Sequence, residues 1–150
     1  MRYQLTDHTA DIGIRLSHKT LKGIFDDAAF ALFDILCDIK NVRTGFERAI
    51  SVEALNQCGS GQASDYEELL NLFLSVLLKE FTSDNNLLNN IEVEEIKEGD
   101  GKVTLSAIIT GQAYDPAHHS IKTEIKAVTF HNLSVKKTKE GYIAEVVFDV

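Results

Sequence analysis

The chain has 150 residues, of which 44% are apolar and 25% charged, with a formal net charge of −8. This is enough apolar material for a buried core, and the length fits one domain spanning residues 1–150. No stretch of ~18 apolar residues could span a bilayer, and the N-terminus opens on polar, strand-like residues, so a cytoplasmic protein without membrane association is expected.

The acidic balance weighs against strong direct nucleic-acid binding, which depends on clustered Lys and Arg. The densest basic group, Lys136, Lys137 and Lys139, sits near a turn where charges are ordinarily solvated. An acidic surface is better suited to a basic protein partner. Cys37 and Cys58 form no C-x-x-C pair and have no His at ligand spacing, which argues against a zinc site and a disulfide framework.

Ile12, Ile14 and Leu16 alternate with Gly13 and Arg15, the period of a half-buried strand. Thr20 offers an N-cap. The recurrence of Leu21, Ile24, Phe25, Ala28, Ala29, Leu32, Phe33 and Leu36 then predicts a helix over about 21–38, with Lys22, Asp26, Asp27 and Asp34 on its outer face and Cys37 in the core. Ile50, Val52 and Ala54 alternate again, followed by a loop over 56–62 whose Gly59-Ser60-Gly61 matches no phosphate-binding pattern.

Ser64 and Glu67 read as a capping box opening a second helix. From Leu69 to Phe81 that helix is apolar on nearly every side, more than packing on a single sheet requires, so a loop or a partner should cover the excess. Strands follow at Ile91–Lys97 and Lys102–Thr110, joined by a turn with an Asp100-Gly101 hairpin signal. Beyond Pro116, Glu124–Val135 and Tyr142–Asp149 make a second antiparallel pair around Glu140-Gly141. The expected class is α+β: a two-layer arrangement, with two helices packed on one face of a largely antiparallel sheet.

The chemistry gathers at the two ends of the chain. The apolar run Ala144–Phe148 closes on Asp149, one residue from the Val150 α-carboxylate, and Asp11 precedes the first alternating strand. If these two strands pair, three carboxylates meet, and their repulsion asks for a hard cation such as Ca²⁺ or Mg²⁺. The plain alternative is two solvated carboxylates at strand ends. His8 could orient Asp11, although a lone His near a strand start is more often a structural donor. His118-His119 lacks a matching acidic partner other than Asp115 and reads poorly as a metal pair.

The strings H-T-A-D-I-G-I at 8–14, E-I-K-A-V-T-F-H at 124–131 and V-V-F-D-V at 146–150 together resemble the archease family, and Asp65-Tyr66-Glu67-Glu68-Leu69-Leu70 is similar to that family's acidic helix start. The resemblance covers nearly the whole chain. It implies that Asp11, Asp149 and the C-terminal Val150 are metal ligands, with all-oxygen donors favouring Ca²⁺ and allowing Mg²⁺. It also brings in Asp65 and Lys126, each with a structural reading of its own: Asp65 as an acid at a helix N-terminus, Lys126 as an outward strand residue.

Lys126 and Thr129 cannot share a face of a regular strand, so they need a bulge or do different jobs. The implied function is a non-catalytic accessory protein that promotes guanylylation and turnover of an RtcB-type RNA ligase in tRNA splicing or RNA repair. Two rivals stand beside it. One is a phosphohydrolase with Mg²⁺ held by Asp11 and Asp149, which lacks an evident general base; the other is a binding module whose surface is the apolar second helix.

Overall fold

The computed structural model describes residues 2–6, 10–55 and 63–150, with the backbone alone for 63 and 64. His8, Cys58 and the loop 56–62 lie outside the described residues. The elements run β1 (Gln4–Thr6), β2 (Ile12–His18), α1 (Leu21–Leu36), a 3-10 turn (Ile39–Asn41), β3 (Phe46–Leu55), α2 (Ala63–Thr82), β4 (Asn86–Gly99), β5 (Lys102–Ala113), β6 (Ala127–Val128), β7 (Ser134–Thr138) and β8 (Gly141–Asp149). No helix among the described residues is long and apolar enough to cross a membrane.

The class is α+β with antiparallel pairing throughout, as expected, but the strands divide into two sheets. One has the order β1-β2-β8-β6, with β7 also on β8; the other has the order β3-β5-β4. Both helices lie between them. Helix α1 packs on β2 and β8 of the first sheet and on β4 of the second, while α2 packs on β6 and β7 of the first and on β3, β4 and β5 of the second.

That middle-layer position explains why α2 is apolar nearly all round. Leu69, Leu70, Phe73, Leu74, Leu77 and Leu78 are all buried, and the second sheet covers the surface for which a loop or partner was expected. Phe25 of α1 meets Phe73 of α2 with ring centroids 6.0 Å apart, joining the helices at the centre of the core.

Flanking also changes the acidic face of α1. Thr20 caps the helix as expected, its Oγ1 accepting from Gly23 N–H at 3.0 Å. Of the residues expected to face solvent, however, Asp27 is buried and accepts from Arg2 Nε at 2.9 Å. Asp26 accepts from the backbone N–H of Val93 at 2.7 Å, and Asp34 accepts from the Tyr3 hydroxyl at 2.8 Å. These carboxylates tie α1 to β4 and to the N-terminal segment. Cys37 is core, and burial, the main cause, pushes its thiol up to about 11, so it stays neutral at physiological pH.

The Asp100-Gly101 hairpin forms as expected, with positive φ at both residues (55° and 74°), the type I′ geometry that fits the strand twist. The helix starts earlier than the expected capping box. Helix α2 already includes Ala63, so Ser64 falls inside it, and the Glu67 carboxylate accepts from the backbone N–H of Val135 at 3.0 Å.

The largest departure from expectation is the strand over Glu124–Val135. It breaks into β6 and β7, both paired with β8, with residues 129–133 looping out between them. Asn132 takes a positive φ of 54° in that excursion, and Leu133 N–H closes a turn on Phe130 O at 3.3 Å. The break is held from α2. Buried Asn71 donates its amide to Val128 O at 3.1 Å and to Thr129 O at 3.2 Å, and its own Oδ1 accepts from Ser75 Oγ at 3.3 Å. Removing the amide deprives two carbonyls at a buried break of a donor, so Asn71→Leu should lower the unfolding free energy by about 1–3 kcal/mol and Ser75→Ala by about 1 kcal/mol or less. Urea denaturation checks this, and equal effects from the two variants would show that the clamp does not hold the break.

Candidate functional site at the end of the central strand

Strand β8 is paired on both edges, with β2 on one side and β6 and β7 on the other. The last registered pair of the β2–β8 ladder is Ile12↔Phe148. The next positions along this register are Asp11, a bend residue just before β2, and Asp149, the last residue of β8. The two ends of the chain therefore meet, as the sequence argument required.

Alternation fixes the face. Phe148 and Val146 are buried in the core with Ile14 and Leu16, so Asp149, Val147, Gly13 and Asp11 share the face turned away from the helices. Both aspartates are half-buried, and neither forms an ion pair among the described residues.

On its other side Asp149 is opposite Ala127, and its carbonyl accepts from the backbone N–H of Lys126 at 2.8 Å. Lys126 is thus tethered beside the acidic pair while its side chain is exposed. Thr129 has a different job. Its hydroxyl donates to Val147 O at 2.9 Å, in parallel with its own backbone N–H at 3.0 Å, and accepts from His131 N–H at 3.2 Å, which starts the excursion. Of the two readings left open, separate roles is the one the geometry supports.

Asp65 does not join the acidic pair. Its neighbours on α2 fix its place. Glu67 reaches Val135 of β7, which pairs with Ala144, and Asn71, one turn further on, reaches Val128, which pairs with Phe148. The helix therefore runs towards the Asp149 end of β8, and Asp65, in its first turn, lies towards the other end. Beside it, the Tyr66 hydroxyl donates to Glu98, and burial first, then that acceptor, pushes the phenol well above its ordinary range. Asp65 is buried at 3% exposure in the first turn, which matches its structural reading.

The acidic side chains at this sheet end are those of Asp11 and Asp149, oxygen donors only. Two like charges in register on one sheet face fit a hard divalent cation as two of its ligands. Among the described residues no three His, Cys, Asp or Glu side chains gather into a metal-binding group. Two features were missed in the sequence. Asn71 stood out as a polar residue between Leu70 and Leu72, a signal that could have marked the clamp. Phe130 is 66% exposed on the excursion beside the site, and only the broken strand puts it there.

Residues 3–150 match the model of the archease protein family (MTH1598/TM1083). The chain is 36% identical over 149 residues to a protein archease of Methanosarcina acetivorans, covering 99% of this chain and 96% of that one. It is 35% identical over 150 residues to a protein archease of Archaeoglobus fulgidus, with both chains covered completely. The solution structure of protein 1598 of Methanobacterium thermoautotrophicum superposes with a TM-score of 0.77 at 26% identity, covering 99% of each chain. The crystal structure of a Thermotoga maritima protein described as an archease and possible chaperone shares the fold, with a TM-score of 0.53 at 17% identity, covering 97% of this chain and 94% of that one.

The adjacency of Asp11 and Asp149 is open to test without any metal. In chelator and low salt, Asp11→Asn should stabilise the protein by about 0.2–1 kcal/mol, the scale of a like-charge cross-strand pair. Adding Asp149→Asn to it should give little more, and the gain should shrink with added salt. Strictly additive effects in the double-mutant cycle would mean that the two carboxylates do not face each other.

Proposed function

The chain belongs to the archease family, and from that premise we propose that it is a non-catalytic accessory protein that binds a divalent cation, Ca²⁺ in preference to Mg²⁺, and promotes guanylylation and turnover of an RtcB-type RNA ligase. The observation that carries this reading is the antiparallel β2–β8 register, whose next positions beyond Ile12↔Phe148 are Asp11 and Asp149. A cation held there supplies charge neutralisation and Lewis acidity towards phosphate oxygens. Asp11 and Asp149 provide the hard oxygen donors, and the Lys126 backbone holds the Asp149 strand end in place.

Recognition of the ligase fits the same end of the molecule. The exposed Lys126 side chain and the exposed Phe130 flank the acidic pair, one a charge and the other an apolar anchor of the kind that seats in a partner's pocket. The net charge of −8 favours encounter with a basic, RNA-holding enzyme. The description of the Thermotoga maritima protein as a possible chaperone agrees with an assisting role.

The test is to follow ligase guanylylation and RNA joining with GTP and divalent metal, with and without this protein, beside a hydrolysis assay of the protein alone on phosphate esters. Stimulation without hydrolysis is expected; hydrolysis without stimulation would establish the phosphohydrolase instead. Asp11→Ala and Asp149→Ala should each abolish Ca²⁺ binding by calorimetry and ligase stimulation while the far-ultraviolet dichroism is unchanged. Wild-type affinity in both variants would remove the cation site.

The Val150 α-carboxylate, expected as a third donor, is tested by a short polar extension beyond Val150. Such an extension should weaken Ca²⁺ binding, whereas the same extension before Met1 should leave it intact. Equal affinities would strike Val150 from the site.

A further inference from the structure

An open cavity of about 400 Å³ lies where the 3-10 turn after α1, the end of β5 and residues 118 and 119 come together, lined by Lys40, Asn41, Arg43, Gln112, His118 and His119. Among the described residues no carboxylate lines it. In a chain of net charge −8, that concentration of nitrogen donors is against the general trend. Lys40 and Arg43 are exposed, and neither forms an ion pair among the described residues. The acids nearby in sequence are engaged. Asp38 accepts from Asn41 Nδ2 at 3.3 Å, and Asp115 lies 3.7 Å from His118 Nε2 and accepts from Ala117 N–H at 3.0 Å.

The wall of the cavity is built, not incidental. The Asp115 backbone N–H donates to His119 Nδ1 at 2.9 Å, which leaves the ring proton on Nε2, and Nε2 donates to Gln112 Oε1 at 3.0 Å. The Arg43 backbone N–H donates to the same oxygen at 2.8 Å. With Oε1 used twice, the orientation of the Gln112 amide is set, and its NH₂ has no protein acceptor among the described residues. His119 is buried and stacks on Tyr114, which holds the ring in place.

We propose that this cavity binds a phosphate group, with Lys40 and Arg43 neutralising its charge and the Gln112 NH₂ donating to a phosphate oxygen. The volume suits a small phosphorylated molecule, since ligand sites of this kind begin at roughly 300 Å³. The proposal is independent of the cation site and of the ligase.

Calorimetric titrations of inorganic pyrophosphate, AMP and a short single-stranded oligoribonucleotide, in low salt with chelator present, test it. The chelator removes any binding bridged by a metal. One-to-one binding is expected, weakened at least tenfold by Lys40→Ala/Arg43→Ala. Gln112→Glu should weaken it similarly, because it keeps an acceptor for Arg43 and His119 but replaces the NH₂ with a negative oxygen. Lys136→Ala/Lys137→Ala, on the other basic cluster, should have no effect. Tighter binding of pyrophosphate or AMP than of the oligonucleotide would identify a small phosphorylated molecule as the source of the phosphate, and the reverse order a nucleic-acid phosphate. The proposal is overturned if none of the three probes binds, or if the variants at Lys40, Arg43 and Gln112 bind as tightly as wild type.

Discussion

Everything at the candidate site depends on β8 having both of its edges satisfied. A strand in the interior of a sheet must place every backbone N–H and C=O on a neighbour, and β8 does so with β2 along one edge and with two separate strands along the other. That division requires a break opposite Val147, where Thr129 spends both its backbone N–H and its hydroxyl on one carbonyl. The break in turn requires a donor from outside the sheet, and Asn71 supplies it from α2. A polar side chain set between Leu70 and Leu72 of α2 thus helps to fix where Lys126, Thr129 and Phe130 stand relative to Asp149.

The pattern of what was legible in the sequence follows from this. Alternation along Ile12–Leu16 and the run closing on Asp149 reported the buried face of each strand, and the joining of the two chain ends followed once they paired. The α1 periodicity with its Thr20 cap and the Asp100-Gly101 turn were local signals and were met locally. Alternation does not say which strands share a sheet, so the separation of β3, β4 and β5 from the rest was invisible. The excess apolar surface of α2 was the one hint of it, read from sequence as calling for a loop or a partner, where the structure has a second sheet.

Misreadings of single residues share that origin. Asp26, Asp27 and Asp34 look like a solvated face when α1 has one buried side, and become ties to β4 and the N-terminal segment when it has two. Asp65 came in by resemblance as an acid at a helix start, and the direction of α2 along β8 puts it at the end of the strand away from Asp149. The run through Glu124–Val135 reads as continuous because each half has strand composition. Only the requirement to pair with both ends of β8 interrupts it.

Placing two aspartates side by side costs the folded protein something in the absence of a counter-charge, and an asparagine at either position would remove that cost while keeping a polar side chain at the sheet end. A bound cation would offset that cost, which is one ground for the metal we propose. Under that proposal the cation also stabilises the β2–β8 ladder at its end, because a ligand that binds only the folded state shifts stability by mass action. The surface beside Lys126 and Phe130 would then be ordered in proportion to metal occupancy. Under the proposal, occupancy of the cation site and the order of this end of the sheet would be linked through the β2–β8 pairing alone.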